Sequence, residues 1–162
     1  MERIKGTIDT PIIERVSKDY FVRWDFQTDE KGEVTFQEVK FPYKPTLEII
    51  KDIILDVENL KVDAKILEGF EWNGMKVWLS SENQFNYKAA YDIAIQTGGM
   101  NLPLVFKFGS TENPEYYEFK TIEDLSGFYM GAMKYINDTL AEGWGKKDSI
   151  DWSKVEEALE NV

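Results

Sequence analysis

The stretch from Gly69 to Gly99 reads GFEWNGMKVWLSSENQFNYKAAYDIAIQTGG and contains a tight hairpin, a helix start and a helix stop in one run. Asn73-Gly74 is the strongest turn signal in the chain, because a type I′ turn needs positive φ at both central positions and this pair tolerates both. The register follows: Trp72 opposes Met75, Glu71 opposes Lys76 and Phe70 opposes Val77. Phe70, Trp72, Met75 and Val77 then share an apolar face, with a Glu/Lys cross-strand pair on the other. Trp78 falls on the Glu71/Lys76 side, an aromatic that is either covered by another element or offered to a partner. Ser81 followed by Gln84 has the spacing of a capping box, and Gly98-Gly99 supplies a left-handed stop. The helix between them carries two opposed stripes, Phe85, Ala89 and Ile93 against Tyr87, Tyr91 and Ile95. Such a helix is expected to be sandwiched, inside its own domain or between the domain and a partner.

Downstream, Leu102 to Phe108 alternates, with Leu104, Phe106 and Phe108 facing one way, and Tyr116 to Lys120 returns as its partner strand. Thr121, with Asp124 three positions on, opens a long helix through Leu125, Phe128, Ala132, Ile136 and Leu140 to about Ala141. Gly143 and Gly145 are expected to break it, and Asp151 to cap a short tail helix through Trp152, Val155 and Leu159. Gly127 and Gly131, four apart in that long helix, read as sites of close packing.

Upstream, residues 1–18 show no sustained period and read as an arm or edge segment. Tyr20, Val22, Trp24 and Phe26 alternate with Phe21, Arg23 and Asp25, and a second run from Val34 to Phe41 completes a hairpin. Val34 and Phe36 differ in parity from Val39 and Phe41, so a bulge near Gln37 or Glu38 is needed to bring all four to one side. After Pro42 and Pro45, Leu47, Ile50, Ile53, Ile54, Val57 and Leu60 recur at helical spacing. This helix is expected to end near Leu60, with a second short piece from Ala64 to Leu67. The class is therefore α+β, a small antiparallel sheet built from hairpins and packed by two to three amphipathic helices. Residues 1–68 form an N-terminal arm, hairpin and helix and 69–162 a hairpin-helix-hairpin-helix module with a tail helix, as two pieces or one continuous domain.

With 162 residues and 43% apolar content the chain can build a core unaided. Ten Phe, eight Tyr and five Trp exceed what a small core hides, which places some rings at a partner surface. Thirty acidic against nineteen basic side chains give a net charge of -11, which repels phosphate backbones and anionic headgroups. Direct nucleic-acid binding is not expected. The acidity reads either as a solubility device or as a nucleic-acid mimic occupying a basic partner. Cys and His are both absent. Thiolate nucleophiles, disulfides, Ser-His pairs and the commonest zinc ligands go with them. No window approaches the length of a membrane span, and the N-terminus lacks a signal-type apolar core.

Other chemistry is sparse. Asp29-Glu30 and Glu156-Glu157 read as solvated faces. Asp25, Gln27 and Asp29 open like a calcium loop, but the glycine falls at Gly32 and no glutamate closes it. Asp9-Thr10-Pro11 lacks the glycine of an aspartic-protease turn, and Asn137-Asp138-Thr139 is a chance sequon in a helix. No enzyme activity, cofactor or metal is expected. The aromatic surplus remains: Trp78, Tyr87, Tyr91, Trp144 and Trp152 are the candidate protein-binding residues, with Tyr116 beside them. Each has an alternative role in packing helices onto a sheet.

The segment from Phe70 to Trp152 resembles a domain of unknown function found in small tailed-phage and prophage proteins, beside or fused to tail-fibre and tail-assembly genes. The likeness rests on Phe70-Glu71-Trp72-Asn73-Gly74, on Ser80-Ser81-Glu82-Asn83-Gln84 before a helix, on the hairpin after Gly98-Gly99 and on Thr121 opening the final long helix. The wording, including the later LAEGWGKKDSIDWSK, is similar to versions carried by phages of Bacteroides-type gut bacteria. What the resemblance implies is a virion or tail component, or a tail-fibre assembly factor, acting through a protein partner or self-association, in the host cytoplasm during infection or in the virion. The alternative is an acidic host-takeover or anti-defence protein that blocks a basic host protein.

Overall fold

A computed structural model describes residues 3–162. Its elements are β1 (Ile4–Gly6), β2 (Ile13–Val16), β3 (Asp19–Thr28), β4 (Val34–Phe41), α1 (Leu47–Glu68), β5 (Phe70–Trp72), β6 (Met75–Val77), α2 (Ser81–Thr97), β7 (Leu104–Gly109), β8 (Pro114–Phe119), α3 (Ile122–Asp148) and α4 (Trp152–Glu160). The fold is α+β, with antiparallel pairing in one four-stranded and two two-stranded sheets. The chain forms two compact units: residues up to Asp56 together with Ser149–Val162, and Val57–Asp148. α1 begins in the first and ends in the second.

In the first unit the strand order is β1-β4-β3-β2. The central hairpin is the one read from alternation, and the segment before it supplies both edge strands. Tyr20 pairs with Phe41 and Val22 with Val39, while Ile13 adds from β2. The bulge lies in β3 instead of β4: the register shifts between Trp24 and Gln27, and Asp25 adopts a φ of 54°. Asp25 and Phe26 together oppose Phe36, so β4 keeps a plain alternation. Val34 and Phe36 consequently sit on the face opposite Val39 and Phe41, correcting the expectation of one shared core side. The bulge also turns Phe26 toward Phe36, ring centroids 5.2 Å apart, and away from the face of Trp24.

That second face has its own cover. Residues 7–12 link the two edges across it, and a β-carbon on Gly6 would come within 2.4 Å of the Phe36 ring and 2.8 Å of the Thr10 hydroxyl. Arg23 is buried there, donating to the Pro11 carbonyl at 3.1 Å, to Glu38 at 2.6 Å and to Glu14 at 2.7 Å. Burial disfavours its charge, but the two carboxylates more than offset this and its pKa is raised. α4 packs beside β2, capped by Asp151, which accepts from the Lys154 backbone N–H. Val155 and Leu159 of α4 are buried, as are Ile50 and Ile54 of α1.

In the second unit α1 runs unbroken to Glu68, where two pieces were expected. No glycine or proline interrupts residues 61–68, and Gly69 ends the helix, its N–H bonded to the Lys65 carbonyl at 3.0 Å. The β5–β6 hairpin has the register read from Asn-Gly, with φ of 51° at Asn73 and 79° at Gly74. Its inner residues join a core with Leu79, Tyr87, Phe108, Phe119, Leu125 and Phe128. The Phe128 ring lies 4.9 to 6.1 Å, centroid to centroid, from those of Phe70, Trp72, Tyr87, Phe106, Phe108 and Phe119. Such contacts add to the area each ring hides. Gly127 and Gly131 make room for the hairpin: β-carbons there would stand 3.4 Å from Trp72 and 3.6 Å from Phe70.

Three expectations are corrected here. The N-cap of α2 is Ser80, which accepts from the Asn83 N–H at 3.2 Å, while Gln84 donates to the Leu79 carbonyl; the box at Ser81 does not form. Gly143 and Gly145 do not break α3, which continues to Asp148, because Gly143 is a contact point with α1 and lies directly against Val62. Third, α2 is covered on one side only. Tyr87 and Ala94 are buried, whereas Phe85, Ile93 and Ile95 are exposed. The Gly98-Gly99 stop forms as read, with Gly98 at φ 65° and the Gly99 N–H bonded to the Ala94 carbonyl at 2.8 Å.

Candidate functional site

In the β7–β8 hairpin, Leu104, Phe106 and Phe108 face inward with Tyr117 and Phe119. The outward face carries the pairs Val105/Glu118 and Lys107/Tyr116. Val105 is 55% and Tyr116 66% exposed, so this face presents apolar surface beside charge. β6 runs next to β7, yet the two belong to separate sheets. The gap is a cleft of about 520 Å³ bounded by Lys76, Val77 and Trp78 on one side and by Lys107 through Thr111 on the other, with Glu68 contributing from the end of α1. Val77 and Phe108 are buried in its wall, and Trp78 is 47% exposed. Lys107 belongs to both features, lining the cleft with Trp78 and pairing across the hairpin with Tyr116.

The five candidate aromatics do not converge. Tyr87 is a core residue, its ring 4.8 Å from Phe106 and 4.9 Å from Phe128, and burial pushes its phenol up to about 12. Tyr91 is half-buried and stacked on Tyr129 at 4.6 Å. Trp144 is 56% exposed near the C-terminal end of α3. Trp152 belongs to the other unit, half-buried in α4 with the Lys51 ammonium 5.6 Å from its ring. Trp78 is the one of the five that lines the cleft. Lys107 and Val105 escaped the sequence reading, and Lys76 entered it only as the cross-strand partner of Glu71 on the Trp78 side.

Among the described residues no group of three or more Asp or Glu is arranged to hold a metal ion, and no helix is long and apolar enough to cross a membrane. The remaining perturbed groups are structural. The Glu142 carboxyl is held below its ordinary range by the Lys65 hydrogen bond and then by Lys146, a link between α1 and α3. The Tyr117 phenol is raised by its hydrogen bond to Asp124, which ties β8 to α3. No family model, curated protein or solved structure matches the chain.

Proposed function

We propose that the protein is non-enzymatic and acts by binding another protein, as a virion or tail component or as a tail-fibre assembly factor. The observation that carries this reading is the outward face of β7–β8, where Tyr116 and Val105 are more than half exposed and adjoin, through Lys107, the half-exposed Trp78. Exposed Trp and Tyr rings presented on paired strands are the side chains that concentrate binding energy in protein interfaces. The phage setting comes from the resemblance of the Phe70 to Trp152 segment. A chain without Cys or His, relying on surfaces for its work, fits that setting.

Affinity capture of the tagged protein during infection, with mass spectrometry of purified virions, tests the reading. The expected result is recovery of a tail or fibre protein with the wild-type chain and loss of that recovery in Trp78→Asp/Tyr116→Asp. Absence from virions, together with no fibre or tail protein captured, overturns it.

A further inference from the structure

We propose that the cleft between β6 and β7 is a binding site for an anionic group, carboxylate or phosphate, carried on a flat apolar body. The inference stands on the chemistry of the cleft and is independent of the protein-contact reading. Its basis is the way this acidic chain spends its cations. In the Val57–Asp148 unit, Lys61 is paired with Glu58, Lys65 and Lys146 with Glu142, Lys88 with Asp92, Lys120 with Glu118 and Lys134 with Asp138, while Lys147 bonds Asn59. Among the described residues of this unit, Lys76 and Lys107 are the lysines with no carboxylate at ion-pair distance and no hydrogen bond; Lys76 stands opposite Glu71 in the hairpin register, and both lysines line the same cleft.

Two ammonium groups without a close counter-ion on adjacent strands concentrate positive charge at one place in a chain of net charge -11. Val77, Phe108 and the Trp78 indole give the cleft an apolar lining between the two lysines. The volume of about 520 Å³ lies in the range that small ligands occupy. Trp78 supplies aromatic surface to the cleft and Thr111 lines its edge. Glu68 in the lining and Glu71 opposite Lys76 both oppose an anion, so neither lysine suffices alone and both are required.

The test follows the Trp78 indole N–H resonance, identified by its loss in Trp78→Phe, during titration with adenosine monophosphate, indole-3-acetate, adenosine or inorganic phosphate. Saturable shifts with adenosine monophosphate or indole-3-acetate are expected at millimolar concentration, and whichever of the two binds more tightly identifies the phosphate or the carboxylate as the preferred group. Adenosine and inorganic phosphate should bind at least about tenfold more weakly, as each supplies half of the recognition. Lys76→Gln/Lys107→Gln should weaken the preferred probe at least about tenfold while the amide spectrum of the protein outside the cleft stays that of the folded wild type. No saturable shift with either aromatic anion, adenosine binding as tightly as its monophosphate, or undiminished binding in the double variant would each overturn the assignment.

Discussion

Gly143 of α3 stands directly against Val62 of α1: a β-carbon at position 143 would lie 2.3 Å from Val62 Cγ2. Valine is stiff about χ1 and cannot swing its methyl group aside without strain. Gly143→Ala therefore gains about 1 kcal/mol of helix propensity and loses about 1–3 kcal/mol to overpacking, a net destabilisation of about 1 kcal/mol. Gly145→Ala meets nothing within 4 Å and is expected to stabilise by about 0.5–1 kcal/mol. Urea midpoints of the two variants should move in opposite directions, and Val62→Ala combined with Gly143→Ala should recover part of the loss. Equal midpoints would mean that α1 and α3 do not touch at this point.

The cap of α2 separates two adjacent serines. Ser80→Ala removes the acceptor for the Asn83 N–H and should cost about 1 kcal/mol. Ser81→Ala, inside the first turn, should change stability by less than about 0.5 kcal/mol. Thermal unfolding of both variants decides between the positions.

Gly74 holds a φ of 79°, where a β-branched side chain is strained. Gly74→Val should cost about 1–3 kcal/mol although a β-carbon there meets no neighbour, because the penalty is conformational and not steric contact. An unchanged melting temperature would show that the turn is of another type.

Tyr87 couples the core to alkaline pH. Its phenol is pushed up to about 12 by burial, whereas an unfolded tyrosine titrates near about 10. The folded state holds the proton more tightly, so the stability linked to Tyr87 is fully present below about pH 10 and is lost as pH rises through about 12. Tyr87→Phe should flatten the fall of the urea midpoint across that interval relative to wild type. A parallel fall in both proteins would assign the alkaline loss to other groups.

How much of this could be read in advance follows from the range of the interactions. The Asn73-Gly74 hairpin, the Gly98-Gly99 stop and the Asp151 cap are local, each decided by residues within a turn of one another, and all three form as the sequence spells them. The extent of α3 was not legible, because Gly143 is a breaker by propensity and becomes a contact point once Val62, remote in sequence, arrives beside it. The bulge was misplaced because parity in β4 reveals that two faces are occupied but not that residues 7–12 cover the second. The exposed side of α2 was invisible for a related reason: an apolar stripe specifies that burial would be favourable, not that an element is present to provide it. The cleft is the extreme case. Lys76 and Lys107 are drawn together by two hairpins on either side of a helix, and only Trp78, an aromatic out of place in its strand, marked the region beforehand.

The short edge strands of the first unit carry a consequence for its behaviour at high concentration. β1 covers β4 over Ile4–Gly6 and β2 covers β3 over Ile13–Val16, each only a few residues long and interrupted by charge. Brief, charged borders are poor templates for a neighbouring chain to extend. Cleavage after Ile12 would remove β1 and residues 7–12 together, baring Phe36 and the β4 backbone over Val34–Phe36 and leaving an unpaired border that a neighbouring strand can extend.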